Sequence, residues 1–73
     1  MEFKHEELVE REVIIARLLA QGFTGKEIAD MTGMGKRMVT AHIRNMKAKL
    51  HVKDLAVLVK LLQQQPELIN HSG

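Results

Sequence analysis

The sequence predicts an all-α domain of four helices. Three observations lead there. Apolar residues recur at spacings of three and four through most of the chain, while runs that alternate apolar and polar are absent. Glycines and capping residues punctuate the pattern at Gly22, Thr24, Gly33 and Gly35. With 73 residues and no cysteine, the chain holds one small core and no disulfide or thiolate staple. The expected organisation is a frayed segment or first turn at 1–7, a helical domain at 8–65 and a tail at 66–73.

The first helix is expected to run to about Ala20, with Leu8, Val9, Val13, Ile15, Ala16, Leu19 and Ala20 supplying apolar surface and Ile14 and Leu18 widening it. Gln21-Gly22 ends it, Gly22 being the residue free to turn the chain at the helix C-terminus. Phe23 reads as core filler at the corner. The second helix, roughly Gly25 to Met31, has its own start signal. Thr24 can cap it, and Glu27 can reach back to the Thr24 N–H. Ile28 and Ala29 face inward, and Gly33 breaks the helix with a positive φ.

The third helix begins near Gly35 or Lys36 and continues to about Leu50. Val39, Ile43, Met46 and Leu50 form its inward stripe; Lys36, Arg37, Thr40, Ala41 and Arg44 fall off that stripe. Met31, Met34 and Met46 read as core or rim filler, and Met38 as a residue on the outer side of the stripe. Two helices on a short glycine turn, the second apolar behind and basic in front, describe a helix-turn-helix. His51-Val52 reads as a bend, with Val52 turned back to the core. A fourth helix starts near Asp54, a possible cap, and runs to about Gln64. It carries almost two apolar stripes. Leu55, Leu58 and Leu62 can cover the core while Val57, Leu61 and Gln64 or Gln65 face elsewhere. Surplus apolar surface on a small domain marks a partner, most simply a second copy. The alternative is burial under another domain of a longer protein. Pro66 closes the helical region, and Glu67–Ile69 can form one more turn.

The net charge is only +2, but its distribution is uneven. Five glutamates crowd the first twelve residues, whereas Met31 to Lys53 holds six Lys or Arg and no acid. A one-signed stretch on a helix is the footprint of phosphate contact, the bland alternative being a solvated basic face. Arg37 can donate to guanine O6 and N7 or clamp phosphate. Thr40 and Ala41 can approach a thymine methyl, and Arg44 lies where the helix leaves the groove. Lys47 and Lys49 would add sequence-independent affinity, and Thr24 and Lys26 would meet the backbone from the start of the second helix. The expected dimer contact uses Val57, Leu58, Leu61, Leu62 and Gln65.

Chemistry of other kinds finds no support. The four histidines lack zinc-ligand spacing. His42 reads as a half-buried, hydrogen-bonded residue, and Glu12 as a partner for a basic residue of another helix. Thr32–Lys36, TGMGK, only superficially matches a phosphate loop, having neither the full spacing nor a preceding strand. No nucleophile–base set is visible, so no enzyme, metal or cofactor is expected. No run of eighteen apolar residues or secretory signal occurs, which leaves a cytoplasmic protein as the default.

The assembled residues closely resemble the C-terminal helix-turn-helix domain of the LuxR/GerE family of bacterial transcription regulators. The matching run is Leu8, Arg11-Glu12, Leu18-Leu19-Ala20 and Gly22. Thr24 and Lys26-Glu27-Ile28-Ala29 follow, then Val39, His42, Asn45, Lys49-Leu50 and Val52. The resemblance spans about 8 to 62. It implies a four-helix domain without a wing that reads double-stranded DNA with its third helix and dimerises through its fourth. RNA polymerase or another regulator are further partners to expect. Lys49 matches a lysine often used for backbone contact. Val9 replaces a usual capping Thr or Ser, which suggests an earlier start to the first helix. Ile14 replaces a glutamate, Gly35 a serine, Met38 a threonine, Thr40 a Lys or Arg, His51 a glycine and Leu55 an arginine. The Met38 and Thr40 changes imply an unusual sequence preference or a weaker affinity, and they motivate an alternative in which the domain is a protein–protein adaptor. Relatives often carry a receiver or sensor domain ahead of this one; a start at Met1 fits both a stand-alone regulator and a fragment.

Overall fold

In a computed structural model, residues 9–70 of the chain are described, and they form five helices and no strand. The order is α1 Glu10–Ala20, α2 Gly25–Thr32, α3 Lys36–Lys49, α4 Leu55–Gln64 and the single turn α5 Glu67–Asn70. The four expected helices are all present. Leu8, the other residues of 1–8 and residues 71–73 lie outside the described range.

Each boundary has a local cause. Val9 is extended (φ −81°, ψ 167°), so α1 does not start earlier. Valine has no oxygen to cap with, and only the reciprocal half of a capping box forms: the Glu12 carboxylate accepts the Val9 N–H at 3.4 Å. At the other end Gly22 takes φ +100°. Its N–H donates to the Leu19 carbonyl at 2.9 Å, and the Phe23 N–H donates to Leu18 at 3.1 Å. These two bonds are the Schellman closure, which satisfies carbonyls that the helix end leaves free. At the start of α2 the full box forms, with Glu27 N–H donating to Thr24 Oγ1 at 3.1 Å and Thr24 N–H to Glu27 Oε1 at 2.8 Å. Gly33, at φ +77°, ends it.

The core gathers Ile15, Ala16 and Leu19 of α1, Ile28 of α2, Val39 and Met46 of α3, Leu58 and Leu62 of α4, and Ile69 of α5. Phe23 and Val52 pack half-buried against it, as expected. α1 is the central strut: it packs on α4, α3, α2 and α5, while α2 rests on α3. Gln63 Nε2 donates to the Ala20 carbonyl at 2.9 Å and so joins α4 to the C-terminal end of α1.

Several expectations are corrected. Leu55 does not cover the core but is 43% exposed, and Met31 is exposed rather than filler. Asp54 occupies the N-cap position, yet its side chain makes no capping bond. Pro66–Ile69 is not part of a tail, because Ile69 is buried and α5 packs on α1.

Candidate nucleic-acid interface

α3 presents its faces as the spacing requires. Val39 and Met46 are buried, and Ile43 and Leu50 are half-buried behind the helix. Lys36, Arg37, Thr40, Ala41 and Arg44 are all exposed and together line one shallow surface depression with no acidic member. Residues 37, 41 and 44 stand at spacings of four and three, on the side opposite the buried stripe. Asn45 and Ala48 extend this exposed row. Neither was among the expected contact residues, because neither carries charge, although the same spacing would have found them.

The turn ahead of α3 is held by Thr32. Its hydroxyl donates to the Ile28 carbonyl at 2.7 Å and accepts the Met34 N–H at 3.2 Å. Gly35, extended at φ −65° and ψ 157°, starts α3 without a side-chain cap. The first N–H groups of α3 therefore lack an internal acceptor next to Lys36 and Arg37.

A second group of charges fixes α3 from behind. Glu12 of α1 is 3% exposed in its side chain, and Lys49 Nζ donates to its Oε1 at 2.7 Å. His42 Nδ1 lies 3.3 Å from Glu12 Oε2. Burial pushes the Glu12 carboxyl up. Hydrogen bonds from Lys49, His42 and the Val9 N–H, with the charge of Lys49, outweigh burial and hold it below the ordinary 4.5. The half-buried, bonded His42 and the interhelical partner of Glu12 are thus both found. Lys49 is corrected: its ammonium is turned inward to Glu12 rather than to the exposed face.

The remaining expected residues separate. Thr24 and Lys26 are exposed, the Thr24 hydroxyl being engaged in its cap. Lys47 is half-buried, with Nζ 3.5 Å from the Lys53 carbonyl. On α4, Val57 is exposed and Leu61 is half-buried, and Gln65, just past the helix end, is exposed. Leu58 and Leu62 are corrected from partner contacts to core: they are 0% and 1% exposed, because α4 turns that side onto α1. Among the described residues no group of three or more His, Asp or Glu is placed to hold a metal ion, and no helix is long and apolar enough to cross a membrane.

The sequence model of the bacterial regulatory proteins, luxR family, matches residues 6–62. The chain belongs to this family. Its luxR-family domain is 39% identical over 59 residues to the nitrate/nitrite response regulator protein NarP of Escherichia coli, covering 80% of this chain and 27% of that one. It is 38% identical over 50 residues to the response regulator protein VraR of Staphylococcus aureus, covering 68% of this chain and 24% of the relative. The VraR of Staphylococcus epidermidis matches equally. The chain thus spans about a quarter of the length of these curated relatives. No solved structure matches it.

Proposed function

We propose that this luxR-family domain binds double-stranded DNA in a sequence-specific way and regulates transcription, with α3 in the major groove. The observation that carries the reading is the single open face of Lys36, Arg37, Thr40, Ala41 and Arg44, backed by the buried Val39 and Met46. Arg37 and the backbone N–H groups at the start of α3 meet the duplex first; Arg37 donates to a guanine edge or to phosphate. Ala41 brings a methyl group close to the bases, and Arg44 binds where the helix leaves the groove. Thr40 sits beside Ala41 with a methyl and a hydroxyl, so the reading face is less charged than a Lys or Arg there would make it. Thr24 and Lys26 face the phosphates from the start of α2, and Lys47 adds a weaker, partly shielded charge. A response-regulator context, as in the names of the relatives, fits a domain that is switched by another part of a longer protein.

Dimerisation through α4 completes the proposal. Val57 is 48% exposed and Leu55 43%, a surplus of apolar surface beside Leu61 and Gln65 that a second copy would cover. The same surface favours a second reading, an adaptor that pairs with another regulator through α4. Charge reversal separates the two. Arg37→Glu with Arg44→Glu abolishes duplex binding in fluorescence anisotropy if α3 reads DNA. An adaptor tolerates those changes but fails when Val57→Glu is introduced. Absence of wild-type binding even at low salt would refute the DNA-binding proposal.

A further inference from the structure

A helix lying in the major groove is bordered by phosphates on both sides. α3 has two flanks between its buried stripe and its outer row. At about 100° per residue, Lys36, Thr40 and Lys47 lie on one flank and Met38, His42 and Lys49 on the other. The first flank adjoins α2, since a Cβ on Gly25 would stand 4.0 Å from Ile43 Cδ1 at its inner edge. The second adjoins α1, which touches it through Glu12 and Arg11.

The cations on the two flanks are unequal. On the α2 side Lys26 and Lys36 are exposed. On the α1 side Lys49 is bound to the buried Glu12, and Met38 carries no charge. Among the described residues, what remains there at the surface is Arg11, which lies beside the reading helix with Nη1 3.7 Å from Met38 Sδ. The thioether of Met38, itself 39% exposed, supports the guanidinium. No carboxylate bonds to Arg11 among the described residues, although Glu10 borders the same depression.

We propose that Arg11, from α1, binds a backbone phosphate on the flank opposite Lys26 and Lys36, so that the duplex is held from both sides. The inference rests on α3 being the DNA reader. Arg11 supplies from a neighbouring helix a charge that α3 does not offer at Met38. Being directed to phosphate, it contributes affinity and register without selecting bases.

The test is fluorescence anisotropy on a duplex selected by the protein and on an unrelated duplex, each across a salt series. Arg11→Gln is expected to weaken both complexes by a similar factor and to reduce the slope of log K against log salt by about 0.9, the loss of one phosphate contact. Arg11→Lys recovers the slope, which a purely structural role would not explain, and Lys60→Gln on α4 leaves it unchanged. Glu10→Gln tightens both complexes. A neutral methylphosphonate at one flanking position abolishes the difference between wild type and Arg11→Gln. If Arg11→Gln keeps the wild-type slope while Arg44→Gln lowers it, the Arg11 inference is overturned and the α3 reading stands. If the wild type binds no duplex, both fall.

Discussion

His51 shows what one residue contributes to the angle between two helices. Its φ of 59° places an L-residue in the left-handed region. Its N–H donates to the Ala48 carbonyl at 3.3 Å, and the Val52 N–H donates to Lys47 at 2.9 Å. This is the Schellman closure seen at Gly22, with histidine in glycine's place. The sequence reading marked His51 as standing where relatives have glycine; the backbone gives the physical reason for that glycine. His51→Gly removes the steric cost of the left-handed conformation, about 1–2 kcal/mol, against some gain in unfolded-chain entropy. A net stabilisation of about 0.5–1 kcal/mol is expected, a rise of a few degrees in Tm by circular dichroism. Glu12 gives a prediction of opposite sign. Its carboxyl is held below the ordinary glutamate value, so the unfolded chain takes up its proton at a higher pH than the folded one. Its stabilising contribution is whole above the ordinary value of 4.5 and is lost as pH falls through the lower folded value. Glu12→Gln lowers stability at pH 7 by up to about 3 kcal/mol, since Lys49 loses its charged partner. It also flattens the acid limb of the melting curve relative to wild type. An unchanged acid limb would remove Glu12 from the account.

At the scale of the element, α2 and α3 were legible in the sequence and α4 only in part. The Thr24–Glu27 box, Gly33, and the spacing of Val39 and Met46 are local signals, and the described structure follows them. α4 has Leu55, Val57, Leu58, Leu61 and Leu62 distributed around much of its circumference, so periodicity alone does not set its rotation. Packing against α1 does, and it takes Leu58 and Leu62 into the core while Leu55 stays out. Lys49 fails for a related reason. It belongs by sequence to the basic stretch, but its partner Glu12 lies 37 residues away. The sequence suggested that Glu12 had such a partner without naming which. α5 was readable as one further turn but not as part of the core. Ile69 is 5% exposed, and Ile69→Ala is expected to cost about 2–4 kcal/mol in urea unfolding. A domain of this size has only about 4–11 kcal/mol in total, so the effect is large. A neutral result would return α5 to the status of a loose end.

For the whole molecule, the proposed function uses two surfaces on different parts of one small core: α3 for the duplex, α4 for a second copy. α1 connects them, packing on both helices and holding α3 through Glu12. The two kinds of α4 substitution should therefore behave differently. Val57→Glu leaves the melting temperature nearly unchanged but weakens self-association in sedimentation and removes cooperative binding to two half-sites. Leu58→Ala lowers stability by about 2–5 kcal/mol, since it empties the core rather than the partner surface. Equal loss of stability in both variants would contradict the separation of surfaces. The most direct test of the central claim is selection of bound duplexes from a random pool by the wild type and by Arg37→Gln and Arg44→Gln. The account predicts an enriched motif of two related half-sites at fixed spacing, lost or altered at defined base pairs in the variants. A pool that stays random with wild type, or a motif that both variants select unchanged, would contradict it.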